Sequence, residues 1–214
     1  MRQETHEVDF CVIGGGLAGM SAALSAARHG AKVVLMQDRP VLGGNASSEC
    51  RVQISGAARG GTIPHVRETG LLEELRLENM YLNPHEVFTI QDAVFYEKAL
   101  LEPNLTMLMN CTCQDAEMEG DRIVSVTGWQ GTTETRHVVV ATLFADCSGD
   151  SILAPLSGAE VRMGREARSE FDEDIEPLTT WFLEDTQSQP QHYTFLAYRD
   201  PDIIGNGSGW GSAN

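Results

Sequence analysis

Apolar residues along this chain fall in short dense runs punctuated by glycine, and the spacing of those runs changes from place to place. Asp9-Phe-Cys-Val-Ile13 is β-branched and aromatic and stops at glycine, the pattern of a strand buried on both faces of a parallel sheet. Gly14-Gly-Gly16-Leu17-Ala18-Gly19 follows without a break, and residues 20–29 then form an alanine-rich stretch with high helix propensity, closed by Gly30. Residues 31–36 predict a second strand. Further on, the pattern predicts a helix over residues 90–101 and a strand over 106–110. Alternating strands are expected around 123–129 and 137–144, with Gln130-Gly131-Thr132 as the turn between them.

The opening therefore reads strand, glycine turn, helix, strand within about thirty residues, which is the setting a G-x-G-x-x-G needs if it is to bind a dinucleotide. In that setting Gly14 makes the tight turn, Gly16 lets the backbone approach a pyrophosphate, and Gly19 lets helix pack on strand. The helix start at Leu17 and Ala18 offers unpaired amides and the positive end of a dipole to phosphate oxygens. An acid at the end of the second strand normally holds the adenosine ribose. Here the strand ends Gln37-Asp38-Arg39: Gln37 takes that position by spacing, Asp38 stands beside it, and Arg39 leaves a 2′-phosphate open. The fold class expected is α/β, a Rossmann-like sheet with an inserted β-meander.

Charge narrows the partners. Fifteen Lys+Arg against 31 Asp+Glu give a formal net charge of −16, a field that disfavours nucleic acid and anionic membrane surfaces alike. No apolar run reaches the roughly 18 residues of a membrane span, and the polar start lacks the apolar core of a signal peptide, so a cytoplasmic protein is expected. The five cysteines include no Cys-x-x-Cys pair and are expected as reduced thiols. No metal site is expected either: the acidic run over residues 166–176 has no histidine with it.

Pro40-Val-Leu-Gly43-Gly44-Asn45-Ala46-Ser47, directly after the second strand, resembles the glycine pair of the flavoprotein superfamily that includes glutathione reductase and fumarate reductase. Residues 144–154, through Cys147-Ser148-Gly149-Asp150, resemble the strand end that returns the chain to the cofactor in the same proteins, with Cys147-Ser148 where Ala-Thr is usual. The run Gln37–Glu49 is similar to a group of FAD-dependent oxidoreductases within that superfamily. The resemblance spans residues 8–165. It implies an FAD-binding domain over residues 1–165, with 166–214 beginning a substrate domain that is incomplete here. FAD would lie against Gly14, Gly16, Leu17, Ala18, Gly19, Gln37, Asp38, Arg39, Gly43, Gly44, Asn45, Ser47, Gly149 and Asp150. Disulfide reductases of this superfamily carry redox cysteines where Ala46 and Arg51 stand here, and Cys50 is alone, so a dithiol relay is excluded. Relatives that attach flavin covalently do so through a histidine at the position of Ile54, so the flavin would be held non-covalently.

Arg51, Arg59, His65 and Arg67 concentrate positive charge and a proton carrier in an acidic chain. Guanidinium forks suit carboxylate or phosphate recognition, and a histidine titrates near neutrality. Arg51, His65 and Arg67 are the candidate catalytic residues. The expected activity is hydride transfer between a small polar metabolite, a carbohydrate or carboxylic acid, and FAD. The alternatives are an NAD(P)-binding reductase, for which Arg39 speaks, and a flavin-binding fragment needing further chain or a partner. An unfinished core of that kind would expose apolar surface and favour self-association.

Overall fold

The computed structural model describes residues 2–54, 67–161 and 169. Two compact units divide the chain, Met1–Ser148 and Gly149–Asn214. The expected boundary at residue 165 lies outside the described residues.

The first unit is built on a six-stranded sheet. Its elements in chain order are β1 (Arg2–Ile13), α1 (Leu17–Arg28), β2 (Val33–Gln37), α2 (Gly70–Leu82), α3 (Phe88–Leu100), β3 (Leu105–Met109), β4 (Cys111–Glu119), β5 (Arg122–Gln130) and β6 (Thr135–Asp146). Across the sheet the strands run β3-β2-β1-β6-β5-β4. The first four pair in parallel, while β4, β5 and β6 form an antiparallel meander, so β6 serves both. In register, Ile13 lies beside Met36 on one side and Asp146 on the other. The carboxyl ends of β1, β2 and β6 thus share one edge. The chain leaves β1 towards β2 on one side and comes back to it as β6 on the other, which makes that edge the crevice where α/β sheets bind ligands.

Burial follows the pattern of residues. All five residues of β2 are buried, as expected for a strand covered on both faces. On one face Val12, Val33 and Leu35 meet Met20, Ala23, Leu24 and Ala27 of α1, Leu75 of α2 and Phe95 and Ala99 of α3. On the other, the meander curls back over the parallel strands: a Cβ on Gly128 of β5 would come within 2.7 Å of Met36 Cε and 2.6 Å of Cys111 Sγ. Leu24, Leu35, Leu75 and Phe95 are all under 2 % exposed, and each such side chain contributes about 1.5–3 kcal/mol on leaving water.

Three elements differ from the sequence reading. The first strand begins at Arg2 rather than at residue 9, because its polar first half pairs with β6 while β2 joins only from Phe10 onward. α2 was not anticipated. It buries only Leu75 fully, and Leu77, Met80, Tyr81 and Leu82 are exposed. β4 was not anticipated either: Cys111 and Cys113 point in, but a bulge between Cys113 and Asp115 breaks the alternation.

Of the second unit, the described residues include one short helix, α4 (Leu153–Ser157), closed by Gly158 in the left-handed conformation at φ +74°.

Candidate cofactor site

The site grows out of the end of β1. Gly14 has φ +98°, and its amide donates to the Met36 carbonyl at 2.8 Å. A side chain there would run into the carbonyl of Cys147, whose own amide donates to the Ile13 carbonyl at 2.7 Å. Only glycine meets both demands. Gly19, one turn into α1, sits so close to the Gly14 carbonyl oxygen that any Cβ would overlap it. Packing within the chain therefore accounts for both residues.

Gly16 is different. It caps α1 with extended backbone (φ −64°, ψ −179°), forms a bridge with Gly43, and an added Cβ would meet nothing nearer than Gly44 Cα at 3.9 Å. The chain itself does not require glycine here. α1 begins without a side-chain cap and without an acid in its first turn, so the amides of Leu17, Ala18 and Gly19 lack intrahelical partners and the positive end of the dipole is uncompensated. This is a cradle a Cβ would fill, lined by amide donors, and it suits a diphosphate.

A second wall faces it. Gly43 (φ +100°) and Gly44 (φ +56°) lead into a 3-10 turn, Gly44–Ala46, and the Gly43 amide donates to the Gly15 carbonyl at 2.8 Å. α3 fixes this wall from behind: the Phe95 ring lies under Gly43, Gln91 Nε2 donates to the Ala46 carbonyl at 2.6 Å, and Asp92 Oδ1 accepts the Ser48 amide at 3.0 Å. The sequence reading placed a helix here but gave these three residues no part in the site. The signal available was a polar pair, Gln91-Asp92, on a helix that otherwise buries apolar residues.

Strand-end residues depart from expectation. Gln37 is buried, and its amide group turns inward: Oε1 accepts the Gly15 amide at 2.7 Å and Nε2 donates to the Val41 carbonyl at 3.0 Å. Rather than reaching out to a ribose, it ties the glycine turn to the segment after β2. Asp38, beside it, is exposed. Arg39 does not wait for a 2′-phosphate, because its Nε donates to Glu49 Oε2 at 3.0 Å and that bond raises its pKa further. Ser47 is buried and caps its own turn, with Oγ accepting the Glu49 amide at 3.3 Å, whereas Asn45 is exposed. At the end of β6, Asp146 Oδ1 accepts both the amide (3.0 Å) and the hydroxyl (2.6 Å) of Ser148, which fixes the turn behind Gly14.

Of the expected catalytic residues, Arg51 and Arg67 are described, and they take different partners. Arg51, at φ +58°, donates from Nε to the Ser48 carbonyl at 3.1 Å and stays on the second wall. Arg67 is ion-paired with Glu73 at the start of α2. Arg59 and His65 lie outside the described residues. Gly149 (φ +82°) and Asp150 are exposed and belong to the second unit.

All five cysteines are free. Burial pushes the Cys111 thiol up to about 12 and the Cys113 thiol up to about 11, and it raises Cys11 and Cys147 as well. These four are protonated thiols at neutral pH and act as small apolar side chains.

Residues 9–208 match the family of FAD dependent oxidoreductases. The chain belongs to that family. FAD is accordingly its cofactor, and the nicotinamide alternative is set aside. A stretch of 39 residues is 59% identical to the fumarate reductase (cytochrome) of Shewanella frigidimarina, covering 18% of this chain and 7% of that protein. The chain thus spans a small part of the length of this relative. Among solved structures, THI4 of Thermovibrio ammonificans shares the fold with a TM-score of 0.52 at 16% identity, over 81% of this chain and 76% of that one. No helix among the described residues is long and apolar enough to cross a membrane.

Proposed function

We propose that this FAD-dependent oxidoreductase holds the FAD diphosphate in the cradle between the Gly14–Gly19 turn and the Gly43–Ser47 wall. There it exchanges hydride between a small polar metabolite, a carbohydrate or carboxylic acid, and the flavin. The observation that carries this reading is the open side of Gly16, at the start of α1, where the first-turn amides have no intrahelical partner. When bound, FAD supplies hydride acceptance at its isoalloxazine ring. The chain's residues bind and orient. Amides of the first turn of α1 neutralise phosphate charge, Gln37 holds the glycine turn rigid through Gly15, and Asp38 is the exposed acceptor next to the ribose position. Ile54 offers no nucleophile, so the flavin is held without a covalent bond. Arg51 spends only Nε on Ser48, and its remaining guanidinium N–H groups suit a substrate carboxylate.

Anaerobic spectroscopy tests this directly. The purified chain mixed with FAD should show a bound flavin with bands at about 370 and 450 nm, and a 2-hydroxy acid or sugar alcohol from a panel should bleach the longer-wavelength band. Free, unretained flavin would overturn the cradle. Bound flavin that no member of the panel reduces would overturn the substrate class.

A further inference from the structure

At the opposite end of β1 from the glycine turn, three ligand-type side chains converge that the flavin site does not use. Glu4 and His6 are two residues apart on a strand and so share a face. β6 brings His137 into register directly beside Glu4. The ligand atoms of all three lie within 4.8 Å of one another. His6 Nε2 stands 3.0 Å from His137 Nδ1, and Glu4 Oε2 stands 3.7 Å from the same nitrogen. Two imidazole nitrogens 3.0 Å apart would subtend about 94° at an ion placed about 2.05 Å from each, and widening that separation to about 3.3 Å makes the angle tetrahedral.

The surroundings prepare these groups as ligands. Gln130 Nε2 donates to the Met109 carbonyl at 2.7 Å, which turns Oε1 of Gln130 towards His137 Nε2 at 3.2 Å. A carbonyl oxygen can only accept, so His137 carries its proton on Nε2 and leaves the Nδ1 lone pair facing His6 and Glu4. Metal-binding histidines are commonly oriented this way, through the ring nitrogen that does not bind the metal. His137 is 3 % exposed, so its ring is held in place by the sheet around it. Arg2 Nη2 takes the other Glu4 oxygen, Oε1, at 2.5 Å and leaves Oε2 for the cluster. His6 also lines a cavity of about 350 Å³ with Glu7, Lys32 and Asn104.

We propose that Glu4, His6 and His137 form a binding site for one divalent transition-metal ion of the zinc type, with a fourth position open to water. Two imidazoles and one carboxylate are a zinc-type ligand set. Among the described residues, Arg2–Val8 pair with β6 alone, so the ion would clip the first half of β1 to the meander. Gly14 is eight residues beyond His6 on an extended strand, about 26 Å away, so the flavin cradle stands apart.

Titrating the full chain, free of any histidine tag, with zinc chloride tests the site. One Zn²⁺ per chain should bind, and cobalt chloride should give visible absorption from a four- or five-coordinate ion. His6→Ala and Glu4→Gln, both at half-exposed positions, should each weaken zinc binding at least 30-fold and leave FAD binding unchanged. Absence of stoichiometric uptake would overturn the proposal. So would uptake that survives both substitutions, since the ion would then sit on other groups.

Discussion

Gly16 and Gly19 share one short motif and are glycine for different reasons. A Cβ on Gly19 would overlap the Gly14 carbonyl, whereas one on Gly16 would meet only the space before α1. Gly19→Ala should therefore destabilise the chain without FAD by about 2–3 kcal/mol, the cost of forcing helix from strand, read in urea denaturation. A loss under about 0.5 kcal/mol would mean that the close contact does not hold helix to strand. The tight turn at Gly14 and the close packing at Gly19 were legible in the sequence because the motif's spacing sets the strand-to-helix turn. The behaviour of Gln37 was not. Spacing put it at the strand end, but its inward turn depends on Gly15 and Val41, and period and propensity carry no information about such contacts.

At the scale of elements, charge stitches the helices together. Arg28 of α1 makes two hydrogen bonds to Glu74 of α2, at 2.7 and 2.8 Å, and Lys98 of α3 reaches Glu74 at 3.1 Å and also pairs with Glu78. The Arg28 guanidinium holds the Glu74 carboxyl down to about 2, below its ordinary 4.5. A depressed carboxyl stabilises the fold above its unfolded pKa and loses that contribution as pH falls through the folded value. Glu74→Gln should thus cost about 0.5–1 kcal/mol at pH 7, discounted for the solvent that reaches a side chain 40% exposed. The difference from the parent should shrink as pH falls from about 4.5 to about 2, followed by urea denaturation across that range. A difference independent of pH would contradict the ion pair's role. β1, α1 and β2 were visible in the sequence because apolar runs and glycine stops coincide there. α2 stayed hidden because its apolar residues are mostly exposed and only Leu75 is buried, and β4 because the bulge after Cys113 breaks its alternation.

Across the whole molecule, a chain of net charge −16 keeps acids out of one place, the first turn of α1, where the proposed cradle would take an anionic dinucleotide. The sheet brings to that place the ends of β1 and β6 and, through α3, the Gly43 wall. The fold class was legible from the opening strand-turn-helix-strand. Of the candidate catalytic residues, proximity in sequence did not bring the two described arginines, Arg51 and Arg67, to a common partner, and His65 lies outside the described residues. The family resemblance carried the cofactor where the residues alone left FAD and NAD(P) open. The dissociation constant of FAD for Gly16→Ala, measured beside the parent, bears most directly on the cradle. The variant should keep the parent's melting temperature without FAD and bind FAD at least tenfold more weakly, about 1.4 kcal/mol, because the new methyl stands where the diphosphate lies. A folded variant that binds FAD as tightly as the parent would contradict it.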